Sequence, residues 1–188
     1  MSFKCVVAMS ICLFGAVTVA EATTIDFEAQ AAGAGSVFTG AVNSPLVIGI
    51  ATFTGGQLLK NETASVDLTG VYATTNLIAG AYTNPLVITF SAPVSAFSIE
   101  VTNNFADTYT VADNVGDTSS LLLPALAQQV FSLNGVGITS VTIAATNRAS
   151  FDFAIDNVQF TAAAVPEPAT LTLTALGLAA FVRRRRRR

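Results

Sequence analysis

Residues 151–160 read FDFAIDNVQF. Phe151, Phe153 and Ile155 share one parity, and Val158 and Phe160 share the other. Successive side chains of a strand point to opposite faces, so a regular strand cannot bury all five. One extra residue at Asp156-Asn157, a β-bulge, resets the phase and turns all five inward. The stretch therefore predicts a bulged strand, with Asp156 re-aimed by the bulge. It also predicts a core built by strands rather than helices.

The same period of two recurs elsewhere. In Thr24-Ile25-Asp26-Phe27-Glu28, Ile25 and Phe27 share a face, and Asp26 and Glu28 share the other. Phe97, Ile99 and Val101 alternate with Ser98 and Glu100, and Val141 and Ile143 alternate with Ser140 and Thr142. Further strands are expected at 46–54, 57–60, 86–90, 108–112 and 129–133. Gly55-Gly56, Ser91-Ala92-Pro93, Asn103-Asn104, 113–117 and Asn134-Gly135 read as turns between them. A little helix is expected at Ala29-Gln30 and at 121–129, and 31–35 reads as a loop. Eight or nine short strands at this spacing predict an all-β fold, an antiparallel β-sandwich. Asp113-Asn114-Val115-Gly116-Asp117 departs from the EF-hand spacing, because its glycine falls too early, and reads as a solvated hairpin turn.

Composition narrows the chemistry. Hydrophobic residues make up 52% of the 188 residues and charged residues 11%, too apolar for a disordered chain. Between Thr23 and Val165 two bases, Lys60 and Arg148, stand against ten acids, a net of −8. Such a body repels nucleic acid, whose affinity begins with neutralised phosphates. There is no histidine, which removes the commonest general base and metal ligand. Both cysteines, Cys5 and Cys12, lie at the very start.

The two ends read as addresses. Lys4, the apolar run from Cys5 to Val19, and Ala20-Glu21-Ala22 have the order of a signal peptide. Residues 1–22 are expected to form its helix and to be removed by signal peptidase after Ala22, with small side chains at Ala20 and Ala22. Residues 23–161 then form the domain. Residues 162–188 form a linker and a tail, VPEPATLTLTALGLAAFVRRRRRR from Val165. Residues 169–182 are apolar apart from threonines and would span about 21 Å as a transmembrane helix, extended by snorkelling arginines. A terminal arginine cluster at 183–188 stays on the cytoplasmic side of the inner membrane. Pro166 and Pro168 keep the neck upstream of that helix extended.

Val165-Pro166-Glu167-Pro168, the apolar segment and the arginines beginning Arg183-Arg184 resemble the PEP-CTERM sorting signal of Gram-negative bacteria. The resemblance covers the last 24 residues. It implies recognition by an exosortase, processing near the Pro-Glu-Pro triplet, transient anchoring in the inner membrane, and export to the cell surface or extracellular matrix. It is associated with organisms that make exopolysaccharide.

The opening Ile25-Asp26-Phe27-Glu28 and the closing Ala154-Ile155-Asp156-Asn157-Val158 resemble the terminal strands of jelly-roll carbohydrate-binding modules. That resemblance implies terminal strands lying side by side and a structural calcium held by Glu28 and Asp156, helped by Asp26. The alternative is that these acids are solvent-side residues on exposed strand faces.

No catalytic residue is expected. Without histidine or a mature thiol, an enzyme would need paired carboxylates or a Ser-Lys pair, and Lys60, the only lysine of the body, has no serine motif near it. Asp152 and Asp156, four residues apart on one strand, would lie about 13 Å apart, outside both glycosidase geometries. A sugar site would draw on Tyr72, Tyr82 and Tyr109 with amides such as Asn103 and Asn104, because tryptophan is absent. The sequence therefore points first to a non-enzymatic surface or matrix protein requiring no cofactor. It points next to an exopolysaccharide-binding module with structural calcium, and last to a glycoside hydrolase.

Overall fold

The computed structural model describes residues 21–35, 45–60, 70–75, 85–147 and 152–162. All of them belong to one compact unit, Ala20–Ala163. In chain order the elements are β1 (Ala22–Ile25), α1 (Glu28–Ala31), β2 (Leu46–Ile48), β3 (Ala51–Thr54), β4 (Gln57–Lys60) and β5 (Gly70–Thr75). They continue with β6 (Leu86–Asn103), β7 (Asp107–Asp113), β8 (Thr118–Leu123), β9 (Gln128–Ala145) and β10 (Asp152–Ala162). The strands make one antiparallel ten-stranded sheet whose main path is β4-β5-β10-β6-β9-β7-β8. β1 joins β10, and β2-β3 joins β6.

The sheet folds over on itself into a sandwich, because β6 and β9 are long enough to serve both layers. β9 follows one side of β6 for most of its length. On the other side, β3 pairs with residues 87–90 of β6, and β10 pairs with residues 94–103. Rings from strands that are not neighbours in the sheet meet across the interior. Phe53 of β3 lies 5.7 Å from Tyr72 of β5, and Tyr109 of β7 lies 5.5 Å from Phe153 of β10. Between the neighbouring strands β6 and β10, Phe90 lies 5.0 Å from Phe160. Each such buried ring stabilises the fold by about 1.5–3 kcal/mol through its burial, and each ring pair adds about 0.5–1.5 kcal/mol.

The bulge expected in the last strand is present. The pairing of β10 with β6 shifts register between Asp156 and Gln159, and Asn157 has φ 46°. Phe153, Ile155, Val158 and Phe160 are all buried in the common core; Phe151 lies outside the described residues. β1 lies antiparallel beside β10, with Ile25 opposite Val158, as the terminal-strand resemblance implied.

Several expected elements differ. The strand expected at 46–54 is a hairpin: β2 and β3 pair, and the chain reverses at Gly49-Ile50. Gly49 has φ +59°, the left-handed geometry that a two-residue hairpin turn needs at its first position. Ser91-Ala92-Pro93 is no turn, since β6 runs through it. Pro93 falls where the β6–β9 register shifts, so its missing N–H removes no ladder bond. Asn134-Gly135 is no turn either, because β9 is continuous there. A side chain on Gly135 would strike Asp113 Oδ2 and Val115, so the glycine marks where the β7–β8 hairpin lies against β9. The strand expected to run to Glu28 stops at Ile25, and Phe27 turns with φ 56° into α1, which covers the expected Ala29-Gln30 helix. Residues 121–129 are not helical. β8 occupies 121–123, Leu126 has φ 58°, and β9 begins at Gln128. β5 and β8 are strands the sequence did not announce.

Among the described residues no helix is long and apolar enough to cross a membrane. The expected signal-peptide helix and the transmembrane helix at 169–182 fall outside them.

Candidate functional site

The bulge in β10 organises an acidic corner. Asp156 faces away from the core shared by Ile155 and Val158, yet it is only 3% exposed. Its Oδ1 accepts the Asn157 N–H at 2.6 Å, which fixes the left-handed residue of the bulge. Glu100 of β6 stands directly opposite Asp156, and its Oε2 accepts from Asn157 Nδ2 at 2.8 Å. At the adjoining end of β1, Asp26 Oδ1 accepts the Glu28 N–H at 3.3 Å. Glu28 Oε1 accepts the Gly70 N–H at 3.0 Å, tying α1 to the start of β5.

These placements set the electrostatics. Burial pushes the Asp156 carboxyl from its ordinary 3.8 up to about 7. The Asn157 N–H works against that rise, and repulsion from Glu100, Glu28 and Asp26 adds to it. The three acids singled out in the sequence, Asp26, Glu28 and Asp156, thus share one corner. Glu100 joins them. Sequence reading placed Glu100 only on the outward parity of its strand; the signal that could have found it is the cross-strand register opposite the bulge.

The donor chemistry of this corner, all carboxylate oxygens, suits a hard cation such as calcium. The spacing does not form a ready cage. Among the described residues no three acidic side chains gather closely enough to hold a metal ion. Each of the three also gives one oxygen to a backbone amide. At 3% exposure Asp156 does not reach a substrate either, so the raised carboxyl is not arranged as a general acid.

Three of the aromatic and amide candidates, Tyr72, Tyr109 and Asn103, are structural. Tyr72 is fully buried, and its hydroxyl accepts the Gly56 N–H at 3.1 Å while its ring packs on Phe27 and Phe53. Tyr109 is fully buried too, and its hydroxyl donates to the Phe105 carbonyl at 3.0 Å. Neither ring can stack on a sugar. Asn103 is a buried clamp: Nδ2 donates to the Phe105 carbonyl at 2.7 Å and the Pro124 carbonyl at 2.9 Å, and Oδ1 accepts the Ala127 N–H at 2.8 Å. Asn104 is exposed beside it. Tyr82 lies outside the described residues. Residues 113–117 form the hairpin turn between β7 and β8, where Asp113 Oδ1 accepts the N–H groups of Val115 at 2.9 Å and Asp117 at 2.8 Å.

Pro166, Glu167, Pro168, Arg183, Arg184 and Ala20 lie outside the described residues. Ala22 is the first residue of β1 and stands opposite Thr161. A cut after Ala22 leaves Thr23, Thr24 and Ile25 to hold the β1–β10 pairing.

Residues 164–187 match the PEP-CTERM protein-sorting motif. The tail of this chain is a PEP-CTERM sorting motif. That motif takes in the triplet and all but the last of the terminal arginines. No curated protein is similar to the chain. Among solved structures, the K2 cleaved adhesin domain of Lys-gingipain aligns at 13% identity with TM-score 0.46, over 76% of this chain and 98% of that one. A family 29 carbohydrate-binding module in complex with mannohexaose aligns at 11% identity with TM-score 0.40, over 76% and 92%. The C-terminal family 6 carbohydrate-binding module of LamC from Zobellia galactanivorans aligns at 12% identity with TM-score 0.35, over 75% and 99%.

Proposed function

We propose that this chain is an exported, non-enzymatic surface or matrix protein of a Gram-negative bacterium, handed to an exosortase by its C-terminal motif. The observation that carries this reading is the match at 164–187. The −8 body between Thr23 and Val165, set against the terminal arginines, suits an export substrate that leaves its basic end in the cytoplasm. In this reading signal peptidase cuts after Ala22, residues 169–182 hold the chain transiently in the inner membrane, and processing near Pro166-Glu167-Pro168 releases the jelly-roll-like domain. The decisive experiment replaces Pro166, Glu167 and Pro168 together by alanine in a host that carries an exosortase. The unaltered chain is expected at the surface or in the medium in shortened form, and the variant at full length in the membrane fraction. Equal distribution of the two would overturn the proposal.

Exopolysaccharide binding is the second reading. What favours it is a polar row on the outward face, where Gln159 of β10, Ser98 of β6 and Ser132 of β9 stand side by side. Retention of the protein on a panel of polysaccharides, with calcium and with a chelator, tests it. Selective retention supports the reading, and its loss on chelation would assign calcium to Asp26, Glu28 and Asp156. A folded protein that binds no glycan leaves the surface-protein reading alone.

A further inference from the structure

Strand β8 ends the sheet and pairs, among the described residues, only with β7. The Asp113 N–H donates to the Asp117 carbonyl at 3.0 Å, and this sets the phase of the hairpin ladder. Ser119, Leu121 and Leu123 therefore direct their backbone groups to β7, while Thr118, Ser120 and Leu122 direct theirs to the open side. An open row of this kind is a template for another strand, and folded proteins guard it with charge, proline or a bulge. β8 carries none of these: TSSLLL is uncharged and regularly paired, and Pro124 comes only after its end. Leu122 is 77% exposed and Leu121 41%.

The geometry points to a second copy of this chain as the partner, joined β8 to β8 in antiparallel fashion about a two-fold axis at Ser120. Two observations select a second copy. The first is register. The open backbone groups sit symmetrically about Ser120, so Ser120 faces Ser120 of the second copy, and Thr118 faces its Leu122. Each of these pairs exchanges two hydrogen bonds, about six in all. The pairing closes before Pro124, which has no N–H to offer, so the proline costs nothing. A shift of two residues toward the C-terminus would set Pro124 against Ser120 and lose a bond. The second is charge. Two bodies of net −8 repel one another, and they can approach closely only through a neutral face. No charged residue falls between Asp117 and Arg148, a span that includes all of β8 and β9. A cationic partner would be drawn to the acids elsewhere instead.

A six-residue edge is small beside the roughly 1,000 Å² of a stable interface, so the dimer is weak and is best trapped chemically. The test uses the full chain in detergent with Cys5→Ser and Cys12→Ser, so that one introduced thiol is the only one. Ser120→Cys places two thiols across the axis, at the Cα separation of about 5.5 Å that a disulfide accepts. Under mild oxidation it is expected to form a disulfide dimer. Thr118→Cys and Leu122→Cys are expected to cross-link with each other when mixed, but neither with itself. Leu122→Lys added to Ser120→Cys is expected to abolish the dimer. Absence of the Ser120→Cys dimer would overturn the proposal. So would equal cross-linking from Ser132→Cys on the outward face of β9, since association through the membrane tail would show no such register.

Discussion

The sheet ends twice, and its two ends are finished differently. At the β4 end Gln57, Leu58 and Leu59 are buried, and the outer edge is met at Lys60, whose N–H donates to the Gly35 carbonyl at 3.0 Å. Beside it a second apolar cluster of Leu59, Val71 and Ala73, with Ala154 packed on it, buries the face opposite the core. This end is covered on both faces. At the β8 end Leu121 and Leu122 are exposed and the backbone groups of the last strand face outward. One end behaves as interior and the other as surface, although the exposed strand, TSSLLL, is uncharged and the buried one, QLLK, carries a lysine. Burial, not composition, separates them.

Four substitutions sharpen or break that contrast. Tyr72→Ala should cost most, about 3–5 kcal/mol, because it empties the space between Phe27 and Phe53 and leaves the Gly56 N–H unpaired; chemical denaturation measures it. Leu59→Lys at the β4 end should cost about 3 kcal/mol in the same assay, since a charge would enter an apolar cluster. A loss below about 0.5 kcal/mol would mean that this end is as open as β8.

The third concerns Asp156, whose folded carboxyl titrates near 7 against an ordinary 3.8. Because the folded value is the higher one, the folded state holds its proton while the unfolded chain has already lost it. Stability linked to this group is therefore fully present below about pH 4 and is lost as pH rises through 7. Asp156→Asn should leave stability unchanged at pH 3.5 and raise it by about 1–2 kcal/mol at pH 8, flattening the decline between. Denaturation across that range decides it, and an unchanged slope would show that Asp156 is not the group responsible. The smallest effect is Leu122→Lys, which should change stability by less than about 0.5 kcal/mol while removing self-association. A large loss of stability there would mean that the β8 edge is covered.

Much of the architecture was legible in the sequence because alternation reports directly on strands. FDFAIDNVQF disclosed its bulge because five apolar side chains could be buried in no other way. β4 was read to the residue because Gly55-Gly56 precedes it. The turn signals at Ser91-Ala92-Pro93 and Asn134-Gly135 misled for a common reason. Proline and glycine disrupt a ladder in a hairpin and in a bulged long strand alike, and only the partner strand says which. β5 escaped notice because GVYATT carries few strong apolar residues, and β8 because TSSLLL shows no alternation at all.

The candidate site was half legible. Asp26, Glu28 and Asp156 were placed together by resemblance, and Asp26 and Glu28 lie near enough to Asp156 to repel its charge without forming a cage with it. Glu100 could not be joined to them without the β6–β10 register. The tyrosines were visible as the amphipathic rings of the body, but their burial follows from strands far apart in the chain.

By itself the sequence determined the sorting motif of this protein, its acidic and histidine-free chemistry, and its strand-built core. Each of these is a property of local order or of composition and survives any arrangement of the strands. The tertiary structure alone decided that β6 and β9 bend through both layers, that Tyr72 and Tyr109 are core, that Glu100 stands opposite Asp156 at the bulge, and that among the described residues β8 pairs only with β7. Those are consequences of pairing between residues distant in sequence, and the free energy of such pairing depends on what each strand meets rather than on what it contains.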